Sequence, residues 1–287
     1  MSFFISEVSS NHSANLDRCI EFIKKSAVIG CDAVKFQLFK IDELFSPEIL
    51  KNSKEHRSRK RWELPLSFLG PLAEESKKNN IQFSCTPFYL DAVDELYPYV
   101  DFYKIASYEL LWDELLIKCS QTNKPLILST GMATMEEVAH AVHVCKKAGV
   151  NKLSLLHCSS AYPTPINEVN LSAIQTLREC TGCSIGWSDH TVSPDVIFRA
   201  IYKWNASIIE FHLDLEGEGD EFSSGHCWLP NQIEHVINSV HSSFSLDGDG
   251  IKTPNQSELP DRDWRADPID GLRPMQVIRE NFLKTKT

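Results

Sequence analysis

Several short β-rich runs carry chemically capable side chains at or just past their ends. Lys35 lies in Val34-Lys35-Phe36-Gln37, and Lys104 lies in Tyr103-Lys104-Ile105-Ala106-Ser107. An ammonium group taken out of water needs an anionic partner, so this pair points to a bound phosphate or carboxylate. Nearby Ser and Thr hydroxyls and loop N–H groups would complete the cradle. His190 follows Ser188-Asp189, and His212 ends Glu210-Phe211-His212. Two neutral imidazoles can converge on one divalent cation such as Mn²⁺ or Zn²⁺, leaving positions for substrate and water. Glu7, Glu109 and Glu210 are candidate proton carriers, or carboxylates that orient the metal-binding groups. Each residue also has a bland reading. A lone strand lysine snorkels, a strand-end Ser or Thr caps the next helix, and a buried histidine is often simply hydrogen-bonded in the core.

For these groups to meet, the carboxyl ends of many strands must come together, and the patterning supplies such strands. Short β-rich runs at 3–8, 33–37, 82–85, 102–105, 126–129, 153–156, 184–187 and 208–213 alternate with longer helical patterns. Those patterns cover 15–30, 66–79, 90–97, 112–122, 135–148, 171–180, 194–204 and 232–243. Parallel strands joined by helical crossovers give an open doubly wound sheet or a closed barrel. Eight repeats, with no Gly-x-Gly-x-x-Gly after the first strand, predict a (β/α)₈ TIM barrel over 1–244. In that frame Lys35 and Lys104 read as inward residues of adjacent strands, and His190 and His212 as the ends of neighbouring strands seven and eight. The tail, 245–287, is short, irregular and turn-rich, and is expected to pack on the barrel.

The chain has 287 residues, 42% hydrophobic and 24% charged, which excludes collagen-like, disordered and coiled-coil classes. With 29 basic and 39 acidic residues the net charge is −10, so nucleic acid is not an expected partner. No apolar run approaches the roughly 20 residues that cross a bilayer. The opening Met1-Ser2-Phe3-Phe4-Ile5-Ser6-Glu7 lacks the basic stretch of a secretion signal. A cytoplasmic protein without a membrane partner is expected. Nine cysteines, an odd number mostly within apolar segments, suit reduced core residues. Cys180-Thr181-Gly182-Cys183 has the spacing of a zinc or redox pair, and a helix-to-strand turn explains it equally well.

The runs Ser6-Glu7-Val8-Ser9-Ser10-Asn11-His12, Val34-Lys35-Phe36-Gln37, Thr86-Pro87-Phe88 and Tyr103-Lys104-Ile105-Ala106-Ser107 resemble the N-acetylneuraminate (sialic acid) synthase family. So do Leu128-Ser129-Thr130-Gly131-Met132, Leu156-His157-Cys158 with Tyr162-Pro163-Thr164-Pro165, Ser188-Asp189-His190-Thr191, and Glu210-Phe211-His212. The resemblance runs from about residue 3 to 215, in family order. It implies condensation of phosphoenolpyruvate with an N-acyl hexosamine, giving a sialic-acid-like nonulosonic acid and phosphate. By position, Lys35, Thr86, Lys104, Ser107, Ser129 and Ser188 resemble the phosphoenolpyruvate pocket, with Ser160 and Asp189 on the substrate side. Ser160 falls where the family often has Asn. His190 and His212 resemble the metal ligands, for Mn²⁺ first and Mg²⁺, Co²⁺ or Zn²⁺ otherwise. Glu7 and Gln37 resemble the acceptor-sugar contacts and Tyr162 a sugar-side residue, and Glu109, Glu7 and Lys104 are the catalytic candidates. The resemblance also implies a homodimer.

Two departures stand out. The family usually carries a C-terminal antifreeze-like domain that lends an arginine to the partner subunit's sugar site, and this sequence ends without one. Many members also have a Pro-Gly-Pro-Asp-type stretch after strand eight, where this chain has Glu216-Gly217-Glu218-Gly219-Asp220 and then Ser223-Ser224-Gly225-His226-Cys227-Trp228. A basic run of Lys54, His56, Arg57, Arg59, Lys60 and Arg61 follows strand two. It reads as a solvated face, or as a contact for a 6-phosphorylated acceptor. Other readings are a Schiff-base pyruvate aldolase using Lys35 or Lys104, and a shortened non-catalytic paralogue that binds a sugar acid or an enzyme partner. The tail offers Arg265 and Arg273 as substitutes for the missing arginine. Arg265→Ala or Arg273→Ala is accordingly expected to raise the acceptor KM. Steady-state kinetics in which neither variant changes that KM would end the idea.

Overall fold

Period-two alternation places one face of every strand on the helices and the other inside a barrel. The computed structural model describes residues 2–284. Eight parallel strands form the barrel: β1 (Phe3–Glu7), β2 (Ala33–Leu38), β3 (Gln82–Pro87), β4 (Phe102–Ile105), β5 (Leu126–Ser129), β6 (Leu153–His157), β7 (Ser184–Asp189) and β8 (Ile208–Leu213). Each pairs with the next, and β1 closes the ring on β8 with Phe3 opposite Ile208 and Glu7 opposite His212. The expected (β/α)₈ barrel is therefore what forms. A further two-residue strand, β9 (Cys227–Trp228), pairs in parallel with β8.

Outward residues such as Phe36, Tyr103, Trp187 and Phe211 pack into the large core between strands and helices. Inward residues Ile5, Ala33, Phe102, Ile127, Leu156 and Ile208 form a separate apolar floor. Two residues further along the same rows, the inward positions turn polar: Glu7, Lys35, Lys104, Ser129 and Glu210, all buried. Each fully buried Ile, Leu or Phe contributes about 1.5–3 kcal/mol, which helps offset the cost of that polar layer.

The helices follow from local signals. Asn15 caps Leu16–Val28 by accepting from the Arg18 backbone N–H, and Cys19, Phe22, Ile23 and Ser26 form its buried stripe. Thr134 and Glu137 form a reciprocal capping box on Met135–Lys147. Gly182, at φ 68°, ends Ala173–Thr181 and turns the chain into β7. The Cys180/Cys183 spacing is thus a helix-to-strand turn, with Cys180 exposed and Cys183 buried. The segment after β2, which the sequence leaves without structure, folds into Ile41–Leu44, Pro47–Asn52, Lys54–Ser58 and the 3₁₀ turn Arg59–Trp62. Among the described residues no helix is long and apolar enough to cross a membrane.

The chain divides into two units, Met1–Ser242 and Ser243–Thr287, two residues before the boundary the sequence suggests. The second contains short helices at Leu259–Arg262 and Gln276–Lys284. Within it, Asp267 accepts from the backbone N–H groups of Ile269 and Gln276 at 2.9 and 2.8 Å.

Gly186 on β7 is a tight point in the barrel. A Cβ there would lie 2.4 Å from the Ile208 carbonyl oxygen and 2.6 Å from Leu156 Cδ2. Because a neighbouring backbone cannot swing aside, Gly186→Ala is expected to cost about 1–3 kcal/mol or more in denaturant unfolding. An unchanged midpoint would contradict this packing.

Candidate active site

The inward polar layer borders a cavity of about 860 Å³ at the carboxyl ends of the strands. Four buried charges line its base. Lys35 pairs with Glu7 and lies 4.0 Å from Glu210, while Lys104 lies 3.4 Å from the other Glu210 oxygen. Thr86 accepts from Lys35 at 3.3 Å, Ser129 accepts from Lys104 at 2.7 Å, and Ser188 donates to Glu210 at 3.1 Å. Two expectations change. Lys35 and Lys104 stand on β2 and β4 with β3 between them, so they are not on adjacent strands. They meet because inward residues of alternate strands share a barrel layer. Nor do the ammonium groups by themselves demand an external anion, since Glu7 and Glu210 face them.

The compensation is uneven. Burial lowers the Lys35 pKa, but Glu210 and Glu7 more than reverse this and it ends raised. For Lys104, burial is opposed mainly by Glu210, Lys35 adds to the lowering, and its pKa falls below the usual lysine value. Burial works against ionised Glu210, yet Lys104 and Lys35 hold its pKa well below the carboxylate range. Lys104 is therefore the group that an incoming anion would relieve.

Around Lys104 the wall is rich in small polar groups. Gly131 N–H donates to Ser107 Oγ at 3.0 Å, and Ser107 Oγ lies 3.4 Å from Cys158 Sγ. A Cβ at Gly131 would meet Ser160 Oγ at 2.2 Å, so only glycine fits beneath these hydroxyls without displacing them. Glu109, in the 3₁₀ turn Ser107–Glu109, is half-buried with an unpartnered Oε2. Burial lifts its pKa to about 7, against the pull of Lys104 and a backbone hydrogen bond. On the other side of the cavity, Gln37 Nε2 and the Ser9 N–H both donate to Glu7 Oε1 at 2.9 Å.

His190 and His212 rings have centroids 5.4 Å apart. His190 Nδ1 lies 2.8 Å from the Ser159 carbonyl, which can only accept, so Nδ1 carries the proton. Burial first, then His212, lowers the His190 pKa to about 3. The ring is neutral and its Nε2 keeps a lone pair. His212 Nδ1 lies 3.0 Å from Glu221 Oε2. Burial lowers the His212 pKa, but the bond to Glu221 more than reverses this. A metal-binding imidazole typically engages its second nitrogen with a carbonyl or carboxylate, as His190 Nδ1 does here, so His190, with the His212 ring beside it, fits a divalent cation. The Tyr162 ring centroid lies 4.2 Å from that of His190, tilted by 38°, and 5.1 Å from that of His226, edge-on at 77°.

Of the barrel residues singled out from the sequence, all but Thr86, Ser160 and Asp189 line this cavity. Thr86 still touches Lys35, and Ser160 abuts Gly131. Asp189 is a correction. Ser188 and His190 face inward, so alternation turns Asp189 outward, where it accepts from Trp187 Nε1, Trp228 Nε1 and the Val192 N–H at 2.9–3.1 Å. Arg265 and Arg273 belong to the second unit, where Arg265 donates to the Arg262 carbonyl. The sequence reading missed Cys158, Glu221 and His226, all cavity-lining. Period two extended past β6 could have found Cys158. The basic run is split: His56 and Arg59 reach the cavity beside Phe45 and Trp62, whereas Arg57 holds the Leu50 carbonyl and Arg61 pairs with Asp220 at 3.2 Å.

Residues 22–252 match the NeuB family. The chain is 36% identical to an uncharacterised protein of Methanocaldococcus jannaschii, over 99% of this chain and 81% of that one. It is 33% identical to the N,N'-diacetyllegionaminic acid synthase of Campylobacter jejuni, over 90% of this chain and 80% of that one. The solved N-acetylneuraminic acid (sialic acid) synthetase of Leptospira borgpetersenii is 30% identical and superposes with a TM-score of 0.79, covering 91% of this chain and 90% of that one. A match spanning most of the barrel, together with relatives of this similarity, shows that the chain belongs to the NeuB family.

Proposed function

We propose that this protein condenses phosphoenolpyruvate with an N-acyl hexosamine, or its 6-phosphate, to give a sialic-acid-like nonulosonic acid and phosphate. One observation carries the reading: under-compensated Lys104 and its hydroxyl wall share a cavity with the neutral imidazole His190, with His212 and with Glu109. The names of the similar synthases support it.

The phosphate of phosphoenolpyruvate would compete with Glu210 for Lys35 and Lys104 and take hydrogen bonds from the surrounding hydroxyls. C3 forms the new bond to the acceptor's aldehyde carbon, and the aldehyde oxygen takes a proton. Positive charge develops at C2, water adds there, and the C2–O bond to phosphate breaks. Glu109, with a pKa near neutrality, is suited to take the proton of that water. Glu7 and Gln37 would orient the acceptor. His190 and His212 would hold the cation, Mn²⁺ first and Mg²⁺, Co²⁺ or Zn²⁺ otherwise. A bound divalent cation supplies Lewis-acid polarisation of the acceptor carbonyl. A cytoplasmic homodimer belongs to the same reading. Arg59 at the cavity is the group suited to a phosphorylated acceptor.

The lowered Lys104 pKa favours one second reading, a Schiff-base lysine acting on pyruvate. Borohydride trapping with pyruvate separates the two, since the condensation gives no adduct.

Incubation with phosphoenolpyruvate, Mn²⁺ and a panel of free and 6-phosphorylated N-acyl hexosamines is expected to release phosphate only when sugar is present, and EDTA should stop it. No release with any sugar would overturn the proposal. The pH profile gives an independent check. If ionised Glu109 accepts the proton, kcat/KM rises with pH through about 7. The same raised pKa makes the folded protein bind an extra proton between about 4.5 and 7, so stability falls across that window. Glu109→Gln should therefore melt higher than wild type above the window. Equal melting temperatures there would show that burial does not perturb Glu109.

A further inference from the structure

The segment after β8 adds three donors beside His212, and the proposed reaction assigns them no role. One ligand atom each from His212, Glu221, His226 and Cys227 lies within 4.8 Å of all the others. Glu221 Oε2 is 3.0 Å from His212 Nδ1, 3.6 Å from His226 Nε2 and 4.0 Å from Cys227 Sγ. Donors about 2.0–2.3 Å from a shared ion stand roughly 3–4 Å apart, and the three distances from Glu221 fall in that range.

Three independent features assemble this group. The β8–β9 register sets Cys227 directly opposite His212, which brings His226 alongside. The Ser10 N–H and hydroxyl, arriving from the loop after β1, fix the other Glu221 oxygen at 3.0 and 2.5 Å. Asp214 accepts from the backbone N–H groups of Glu216, Gly217 and Gly219 and shapes the intervening loop. His226 is 5% exposed, yet its Nδ1 has no hydrogen-bond partner. A buried imidazole with one orphaned nitrogen and the other beside a carboxylate is costly as a purely structural group.

We propose that Glu221 and His226 are ligands of the same divalent cation as His212. The set then contains two imidazoles and a carboxylate from residues 212–226, with a thiol adjacent, and suits Co²⁺, Zn²⁺ or Fe²⁺ at least as well as Mn²⁺. The inference shares His212 with the proposed condensation, and its test requires no turnover.

Metal-stripped full-length protein titrated with Co²⁺, by calorimetry and visible absorption, tests the assignment. Wild type is expected to bind one equivalent. His226→Ala and the isosteric Glu221→Gln should each weaken binding at least tenfold and alter the Co²⁺ spectrum, and melting of the metal-free variants checks their folding. The spectrum of His226→Ala is the decisive readout, because Glu221 also supports His212 directly. Wild-type affinity and spectrum in both variants, with binding lost only in His190→Ala, would overturn the inference and leave the condensation reading standing. A wild-type protein that binds no Co²⁺ would overturn it together with the metal part of that reading.

Discussion

Two lysines and two glutamates, buried at the base of the cavity, form the electrostatic arrangement on which the rest of the site depends. Neither sign could be buried alone at tolerable cost. Arranged as Glu7, Lys35, Glu210 and Lys104, each ammonium has a carboxylate, and Glu210 is shared. Sharing makes the arrangement asymmetric, because Lys35 has two carboxylates and Lys104 has one. The asymmetry points the electropositive end of the chain toward Ser129, Ser107 and Gly131, where small polar groups already stand. Replacing one member would strand its neighbours, so these four residues are better regarded as one unit than as separate contacts.

The histidine cluster is positioned from behind. Asp189 lies on the outer face of β7 and is fully buried. It binds Trp187 within its own strand and Trp228 on β9, with indole N–H distances of 3.1 and 2.9 Å. One carboxylate thereby ties the strand that leads to His190 to the strand that follows His226. Burial raises its pKa despite bonds from Thr191, Trp228 and Trp187. The cavity side carries the donor atoms while the outer side sets their spacing.

Legibility in the sequence tracks periodicity. Lys35, Lys104, Ser129 and His212 sit on strands whose alternation and order were readable, so their convergence followed from the barrel. Asp189 was misplaced although the same rule applied: with Ser188 and His190 inward, position 189 had to face the helices. The distance between Lys35 and Lys104 along the sheet was misjudged because a closed barrel, unlike a flat sheet, brings alternate strands into one layer. Glu221 and His226 left no periodic trace. Their positions come from a turn held by local side-chain-to-backbone bonds to Asp214 and from a two-residue strand set by its pairing with β8, neither of which has a hydrophobic period. The turns between 41 and 62 were equally hidden, because helices of four to six residues carry too few apolar positions to show a stripe.

The apolar floor has a consequence for depth. Ile5, Ala33, Phe102, Ile127, Leu156 and Ile208 fill the interior at one end, and the cavity lies at the other, at the carboxyl ends of the strands. Along β8, Ile208, Glu210 and His212 rise from that floor, and at about 3.3 Å per residue His212 stands roughly 7 Å above Glu210. A molecule held by both the lysines and the imidazoles would have to span that depth. The shape of the barrel thus sets the two groups at different depths, charges below and imidazoles above.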